Sequence, residues 1–555
     1  MADQNAQLGR ARRRLSVSGW SVGAAIIAAL VLLPIVSVGW IALNPTENIW
    51  PHLLSTTLPR YLSNSLILAV SVGGITAFVG AGTAWLVSMY RFPGAGLLEW
   101  LLLLPLAIPA YVGAYALVDF LEYAGPVQTA LRDLFGWQTS RDYWFPQIRS
   151  MGAAILVISA SLFPYTYLLA RTAFREQSGA AFEVARTLGA GPWRRFLSVG
   201  LPLARPAIAA GTAIVMMETL SDFGTVDFFA VQTLTTGIFS VWLQAGNAGG
   251  AAQLASVVLI LIFVLVAIEK SSRRHLRHFQ AARHVRPVTR ITLTGGKGWA
   301  ATAACALPFA IGFVLPTGVI LSHALRHPDY WIDPGLLRAL WHTLAVGGIA
   351  AGVTVTAALF MVWGMRQTGR GLPRLLLPLT TIGYAAPGAV LGVGLLIPMA
   401  AADNWLADVV EDMTGRDIGL LMTGSAVAIV YAYAVRFFAI AQGAADAAMG
   451  RVAPSLAMAA RSLGRSSGGT LRSVYVPLMR GSVGTALLLV FVDCVKELPA
   501  TLLLRPFGYH TLATRVHEKA SLEKIGEAAP AAMLVIGVGL AAVLLLARTN
   551  RDKAA

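Results

Sequence analysis

The chain has 555 residues, 56% hydrophobic and 13% charged, with a formal net charge of +16. Soluble domains carry about 25% charged residues. Here apolar runs of more than 18 residues recur along the whole length, each long enough to cross a hydrocarbon core about 30 Å thick. This excludes an ordinary soluble domain and predicts an all-α polytopic membrane protein. The surplus of Lys and Arg reads as loop charge that fixes membrane orientation. No basic stripe interleaved with exposed aromatics points to a nucleic-acid partner. The two cysteines, Cys305 and Cys494, both sit in apolar runs, which excludes a disulfide framework or a cysteine-based metal knuckle.

In chain order, Arg10, Arg12, Arg13 and Arg14 precede an apolar stretch from Trp20 to Leu43. That stretch is longer than a signal core, so it predicts an uncleaved first span. Twelve spans are expected, at about 18–43, 62–89, 96–121, 150–173, 204–229, 250–269, 298–321, 340–364, 373–400, 418–442, 479–504 and 527–547. Alternate loops are rich in Arg, at Arg91, Arg171 to Arg205, Lys270 to Arg290, Arg366 to Arg374, Arg451 to Arg480, and Arg548 with Arg551. The opposite loops are poor or acidic, as at Asp403, Asp408, Glu411 and Asp412. The positive-inside pattern therefore places both termini in the cytoplasm. A basic stretch at 270–297, broken by Pro287, reads as a cytoplasmic linker between a first half (1–269) and a second (298–555). His275, His278 and His284 lie among its arginines, which repel cations, so they read as solvated histidines rather than metal ligands.

Self-similarity is the strongest signal. Glu183-Val184-Ala185-Arg186-Thr187-Leu188-Gly189, followed by Leu201-Pro202, recurs as Met458-Ala459-Ala460-Arg461-Ser462-Leu463-Gly464, followed by Val476-Pro477. Gly189 and Gly464 are 275 apart, as are Pro202 and Pro477. Upstream, Ile108-Pro109-Ala110 matches Ala386-Pro387-Gly388, and Asn64-Ser65-Leu66 matches His342-Thr343-Leu344, both at 278. Six spans per copy give two tandem parallel repeats, related by an axis along the membrane normal, with a pathway between them. Each repeated segment predicts a short helix, a glycine turn that only glycine makes without steric cost, a second helical stretch, and then the next span.

These two segments resemble the EAA loop of binding-protein-dependent ABC importer permeases: Glu-Ala-Ala, three residues, Gly, then Leu-Pro. The resemblance implies a type I importer architecture in the bacterial inner membrane. It also implies coupling loops at about 177–203 and 451–478 that dock on a separate ATP-binding subunit dimer at the cytoplasmic face. On that basis Glu183, Ala185, Gly189, Pro202, Ala459, Ala460, Gly464 and Pro477 are coupling residues. Met458 stands where the family's acidic residue would be, so the two docking sites differ. With both loops in one chain, no second permease subunit is needed, and a periplasmic solute-binding protein delivers the cargo.

The span after each loop carries acids. Glu218 and Asp222 fall on Asp493 and Glu497 at the same offset of 275. An i,i+4 spacing puts each pair on one helix face, and charge inside a bilayer is a functional hypothesis by default. Glu218 lies 16 residues past Pro202, or roughly 24 Å along a helix, which places the pairs toward the periplasmic mouth. Two readings stand. The acids, with Lys496, line a cation-favouring gate; or they are structural, with Lys496 offsetting Glu497. Gly224 and Pro499 would end the two helices at matching places. The strings from Glu218 to Thr225 and from Lys496 to Gly508 are similar to those of ferric-iron permeases, which implies Fe(III) as cargo with transient contacts at Glu218, Asp222, Asp493 and Glu497. Thiamine, a polyamine or a phosphonate-type solute are alternatives. So is a proton-coupled secondary transporter that uses the carboxylates, although such a machine needs no docking platform.

No Gly-x-x-x-x-Gly-Lys-(Ser/Thr) phosphate loop occurs. The chain is thus expected to be a transport subunit rather than an enzyme, with no cofactor of its own, ATP and Mg being bound by the partner ATPase.

Overall fold

The computed structural model describes residues 19–45, 47–274, 289–368, 372–381, 383, 386–416 and 419–551. The N-terminal arginines and His275, His278 and His284 lie outside the described residues.

Long apolar stretches leave their backbone groups no partner but the helix itself in a bilayer, and they form the expected helices. The first copy comprises α1 (Gly19–Leu43), α2 (Leu58–Met89), α3 (Ala110–Leu121), α4 (Met151–Arg175), α5 (Gly179–Thr187), α6 (Leu201–Ser221), α7 (Gly224–Phe228), α8 (Leu234–Phe239) and α9 (Ala248–Arg274). The second copy opens with α10 (Gly296–Phe309) and α11 (Leu315–Arg326), joined by a π-helical turn into one rod. It continues with α12 (Pro334–Thr368), α13 (Gly388–Thr414), α14 (Ala426–Gly450), α15 (Pro454–Ser462), α16 (Val476–Lys496), α17 (Pro499–Leu504), α18 (Leu512–Ser521) and α19 (Ile525–Arg551). Among the described residues, eleven helices are long and apolar enough to cross a membrane, or twelve if a pair bent by 94° between Ala107 and Ala110 counts as one span.

Three helices form the heart of each copy: α2, α4 and α6 pack on one another in the first, and α12, α14 and α16 in the second. Close approach relies on small residues, as is usual where lipid removes the hydrophobic drive between helices. A methyl group on Gly80 would lie 2.8 Å from the Tyr167 amide, and one on Gly211 would lie 2.7 Å from Thr166 Cα. The copies are also interlaced. α1 packs on α9 of its own copy and on α13 of the other; α11 packs on α19 and on α3. A two-residue parallel ladder, Tyr90 with Ile291 and Arg91 with Thr292, ties the end of the linker back to the first copy.

Three expectations change. The spans expected at 204–229 and 479–504 stop at Ser221 and Lys496, because Asp222 and Glu497 leave the helix and cap the next one. Gly224 and Pro499 accordingly begin α7 and α17 rather than end the spans. The acidic stretch after residue 400 is helical up to Thr414, where Gly415 takes the left-handed conformation that ends α13.

Candidate functional site

The two repeated loops fold alike. Gly189 and Gly464 both have φ of 78°. The Gly189 amide donates to the Arg186 carbonyl and the Gly464 amide to that of Arg461, each at 3.0 Å. A second helical stretch (Pro192–Arg195, Ser467–Thr470) then runs through a π-helical turn straight into α6 or α16. Leu201-Pro202 and Val476-Pro477 therefore lie within a continuous rod, with Pro202 and Pro477 in the first turn of α6 and α16, rather than at the start of a separate span. Turn and span are one lever.

Burial sorts the predicted docking residues. Ala460 is buried against its own chain and Ala185 half-buried, whereas Glu183, Ala459, Gly189 and Gly464 face outward, as does Met458. The most prominent apolar groups are Leu188 and Leu463, 79% and 83% exposed at corresponding positions. The sequence shows both leucines inside the repeat, but not that they project. Behind the first loop, Trp85 gathers Phe174, Phe182 and Phe196 at ring-centroid distances of 5.3, 5.8 and 5.0 Å. Behind the second, Trp363 meets Tyr475 at 4.9 Å.

At the far ends of the two levers lies a cavity of about 180 Å³, lined by Glu218, Asp222, Asp493, Lys496 and Glu497, and also by Tyr111, Ser161 and Arg436. All five predicted pathway residues thus converge, but in two roles. Asp222 accepts from the Thr225 and Val226 amides at 3.0 and 3.1 Å and from the Thr225 hydroxyl at 2.9 Å. Glu497 accepts from the Ala500 and Thr501 amides at 3.0 and 3.1 Å and from the Thr501 hydroxyl at 2.9 Å. Each carboxylate thus holds the N-terminus of a short helix, where the amides are otherwise unsatisfied. Glu218 and Asp493 stay in the last turn of α6 and α16. The expected single helical face is absent, since the helices break between the paired acids.

Two cations enter the cavity. Lys496 Nζ donates to the Leu106 carbonyl at 2.9 Å. The cation beside Glu497 is Arg436, at 3.4 Å, rather than Lys496, and Arg436 also reaches Glu218 at 4.0 Å. Arg436 was hidden from sequence reasoning because nothing in α14 says what faces it, although a lone charge in an apolar span is itself a signal. Tyr111 is buried, and its hydroxyl has no hydrogen-bond partner among the described residues. Among the described residues, no three or more His, Cys, Asp or Glu side chains gather closely enough to hold a metal. The four carboxylates therefore do not form one ligand set.

Beyond the break several contacts recur in both copies. Thr233 and Thr511 form capping boxes with Thr236 and Thr514. Ser65 Oγ accepts from the Leu234 amide at 3.0 Å, and Thr343 Oγ1 from the Leu512 amide at 2.8 Å. Asn64 donates to the Gln232 carbonyl at 2.8 Å, and His342 Nδ1 lies 3.0 Å from the His510 carbonyl. The loose match of Asn64-Ser65-Leu66 with His342-Thr343-Leu344 is thus a match of contacts.

Known proteins agree with this geometry. Residues 69–278 match the family described as binding-protein-dependent transport system inner membrane component. The Fe(3+)-transport system permease protein FbpB 2 of Haemophilus influenzae is 26% identical over 503 residues, 88% of this chain and 90% of the relative. The ferric transport system permease protein FbpB of Actinobacillus pleuropneumoniae is 23% identical over 467 residues, 80% of this chain and 64% of the relative. The molybdenum transport system permease protein ModB of Escherichia coli is 31% identical over 192 residues, 33% of this chain and 80% of the relative. Two glycine-turned loops, each carried on a lever that ends at a shared cavity, are what a transport subunit worked from outside the membrane requires, and the chain belongs to the family of binding-protein-dependent transport system inner membrane components.

Proposed function

We propose that the chain is the complete membrane pore of an ATP-driven importer, taking ferric iron from a periplasmic binding protein and passing it to the cytoplasm. An ATPase dimer docks on the loops around Gly189 and Gly464, and its closure moves α6 and α16. The single observation that carries this reading is the rigid path from each loop to the cavity. α6 spans 21 residues, about 31 Å at 1.5 Å per residue, and has Glu218 in its last turn.

The cavity's four carboxylates against Arg436 and Lys496 favour a cation over an oxyanion such as molybdate, and carboxylates are hard ligands suited to hard cations. Glu218 and Asp493 are the groups left for the cargo, because Asp222 and Glu497 hold helix ends. Contact with the cargo is transient, as passage requires. The relatives that span most of this chain, named for ferric iron, support the same cargo. Cytoplasmic termini follow from the charge pattern of the loops, and hydrolysis of ATP falls to the partner.

Inverted membrane vesicles expose the cytoplasmic face, whereas right-side-out vesicles can be loaded with ATP. In the latter, uptake of iron from a ferric-loaded binding protein should require internal ATP and survive a protonophore. Uptake driven by a proton gradient without ATP would establish a secondary transporter instead.

A further inference from the structure

We propose that Arg436 is the latch of this pathway, a tethered cation that holds Glu218 of the first copy against Glu497 of the second and must let go of Glu218 before the levers can part. The proposal rests on the reading of α6 and α16 as driven levers. Glu218 sits in the last turn of α6 and Glu497 directly follows α16, so the two carboxylates belong to different levers. One guanidinium on α14 reaches both, at 4.0 and 3.4 Å. Arg436 and Glu497 have side chains only 14% and 2% exposed, so water screens the pair weakly.

The seat is built for this side chain. A methyl group on Gly388 would clash with the Glu497 carboxylate and lie 2.6 Å from an Arg436 nitrogen. In the first copy the positions corresponding to Arg436 and Gly388 are Ser161 and Ala110, and both line the same cavity without charge. The guanidinium and the space it needs therefore occur together, and in one copy. The two ends of the bridge are unequal. Glu497 is anchored by two amides and a hydroxyl besides Arg436, while Glu218 is held at the longer distance. Separation of the levers breaks the Glu218 end and leaves Arg436 on Glu497. Glu218 is then uncovered with Lys496 as the remaining cation in the cavity, so opening of the cavity and a stronger attraction for a cation arise in the same step.

The chain purified with its ATPase subunit in lipid nanodiscs tests this through ATP hydrolysis without binding protein and without iron. Glu218→Gln and Arg436→Gln should each raise that basal rate by about 5- to 150-fold, the usual range of coupling between sites. The double variant should rise no further than the larger single, since both remove one contact. Arg436→Lys, which keeps the charge but not the fork, should give a smaller rise, and Gly388→Ala a rise like that of Arg436→Gln. Unchanged hydrolysis in folded Glu218→Gln, or effects that multiply in the double variant, would overturn the latch. If Arg436→Gln does not fold, the Glu218→Gln and Arg436→Lys rates decide alone. No cargo is present in this assay, so its failure leaves the ferric-iron reading untouched, and a wrong cargo leaves the latch untouched.

Discussion

The two copies agree where the backbone must be shaped and differ in the charges that line the cavity and the exposed loops. Glycine turns, helix caps at Asp222 and Glu497, threonine capping boxes and the hydroxyls of Ser65 and Thr343 recur with matching hydrogen bonds. By contrast, Glu183 faces Met458 across the repeat, Ser221 faces Lys496, and Ser161 faces Arg436. The aromatic seat of the first loop is three rings around Trp85 and that of the second is one pair. Near the linker the first copy buries Glu99 against Arg171 at 3.2 Å and Arg175 at 2.7 Å, whereas the second pairs Arg366 with Asp446 at 3.2 Å. The two copies thus share a fold and differ in the charges of the cavity and of the exposed loops.

The comparison breaks most visibly at the loops. Gly189→Glu combined with Gly464→Glu should cut ATP-driven uptake by at least about tenfold, the effect of ~1.4 kcal/mol of lost coupling, while the protein still inserts. Among the described residues no atom lies within 4 Å of a side chain begun at either glycine, so the strain is that of the left-handed backbone, about 1–2 kcal/mol at each turn. Normal uptake by that double variant would sink the docking assignment. Next in size is a test of the caps. Asp222→Ala should cost about 1 kcal/mol, the ordinary value of a lost N-cap. Glu497→Ala should cost more, up to roughly 3–5 kcal/mol, because it also leaves the buried Arg436 with only its 4.0 Å contact to Glu218. Denaturation in detergent would read the difference, and equal losses would show that Arg436 does not depend on Glu497.

A smaller difference is set by pH. His517 stands where the first copy has Phe239, with Tyr115 Oη at 2.8 Å from Nδ1 and an Asp227 oxygen 4.0 Å from Nε2. Burial pushes the imidazole down from 6.5 to about 4, although Glu518 opposes that shift. The folded state thus binds fewer protons than the unfolded one between these values, so this contribution is intact above about pH 6.5 and is lost as the pH falls toward 4. His517→Phe should flatten the dependence of the melting temperature on pH in that window, and an unaltered slope would place the acid sensitivity elsewhere. The smallest expected effect is at the capping boxes. Thr233→Ala and Thr511→Ala should each cost about 1 kcal/mol, slightly more for Thr233, whose hydroxyl also bonds that of Thr235 at 2.9 Å where the second copy has Ala513. A melting temperature lowered in one copy alone would show that the boxes are not equivalent.

Much of this was legible from residue order. The repeat offset located the turn glycines Gly189 and Gly464 and brought Glu218, Asp222, Asp493 and Glu497 to one place. Their division of labour was not legible, because an i,i+4 spacing was read along an unbroken helix. The Asp222-to-Thr225 and Glu497-to-Thr501 spacings carried the cap signal that breaks it. Arg436 required knowledge of which face of α14 meets α6, a contact between residues more than two hundred positions apart that no local pattern encodes. The projection of Leu188 and Leu463 depended likewise on how the loop is seated by Trp85 and Trp363.

In the proposed importer one chain carries both docking sites and so forms a whole pore. The mass of the complex purified with its ATPase, measured by native mass spectrometry, tests it most directly. One copy of this chain with two ATPase subunits is the predicted result; two copies of the chain around one ATPase dimer would contradict it.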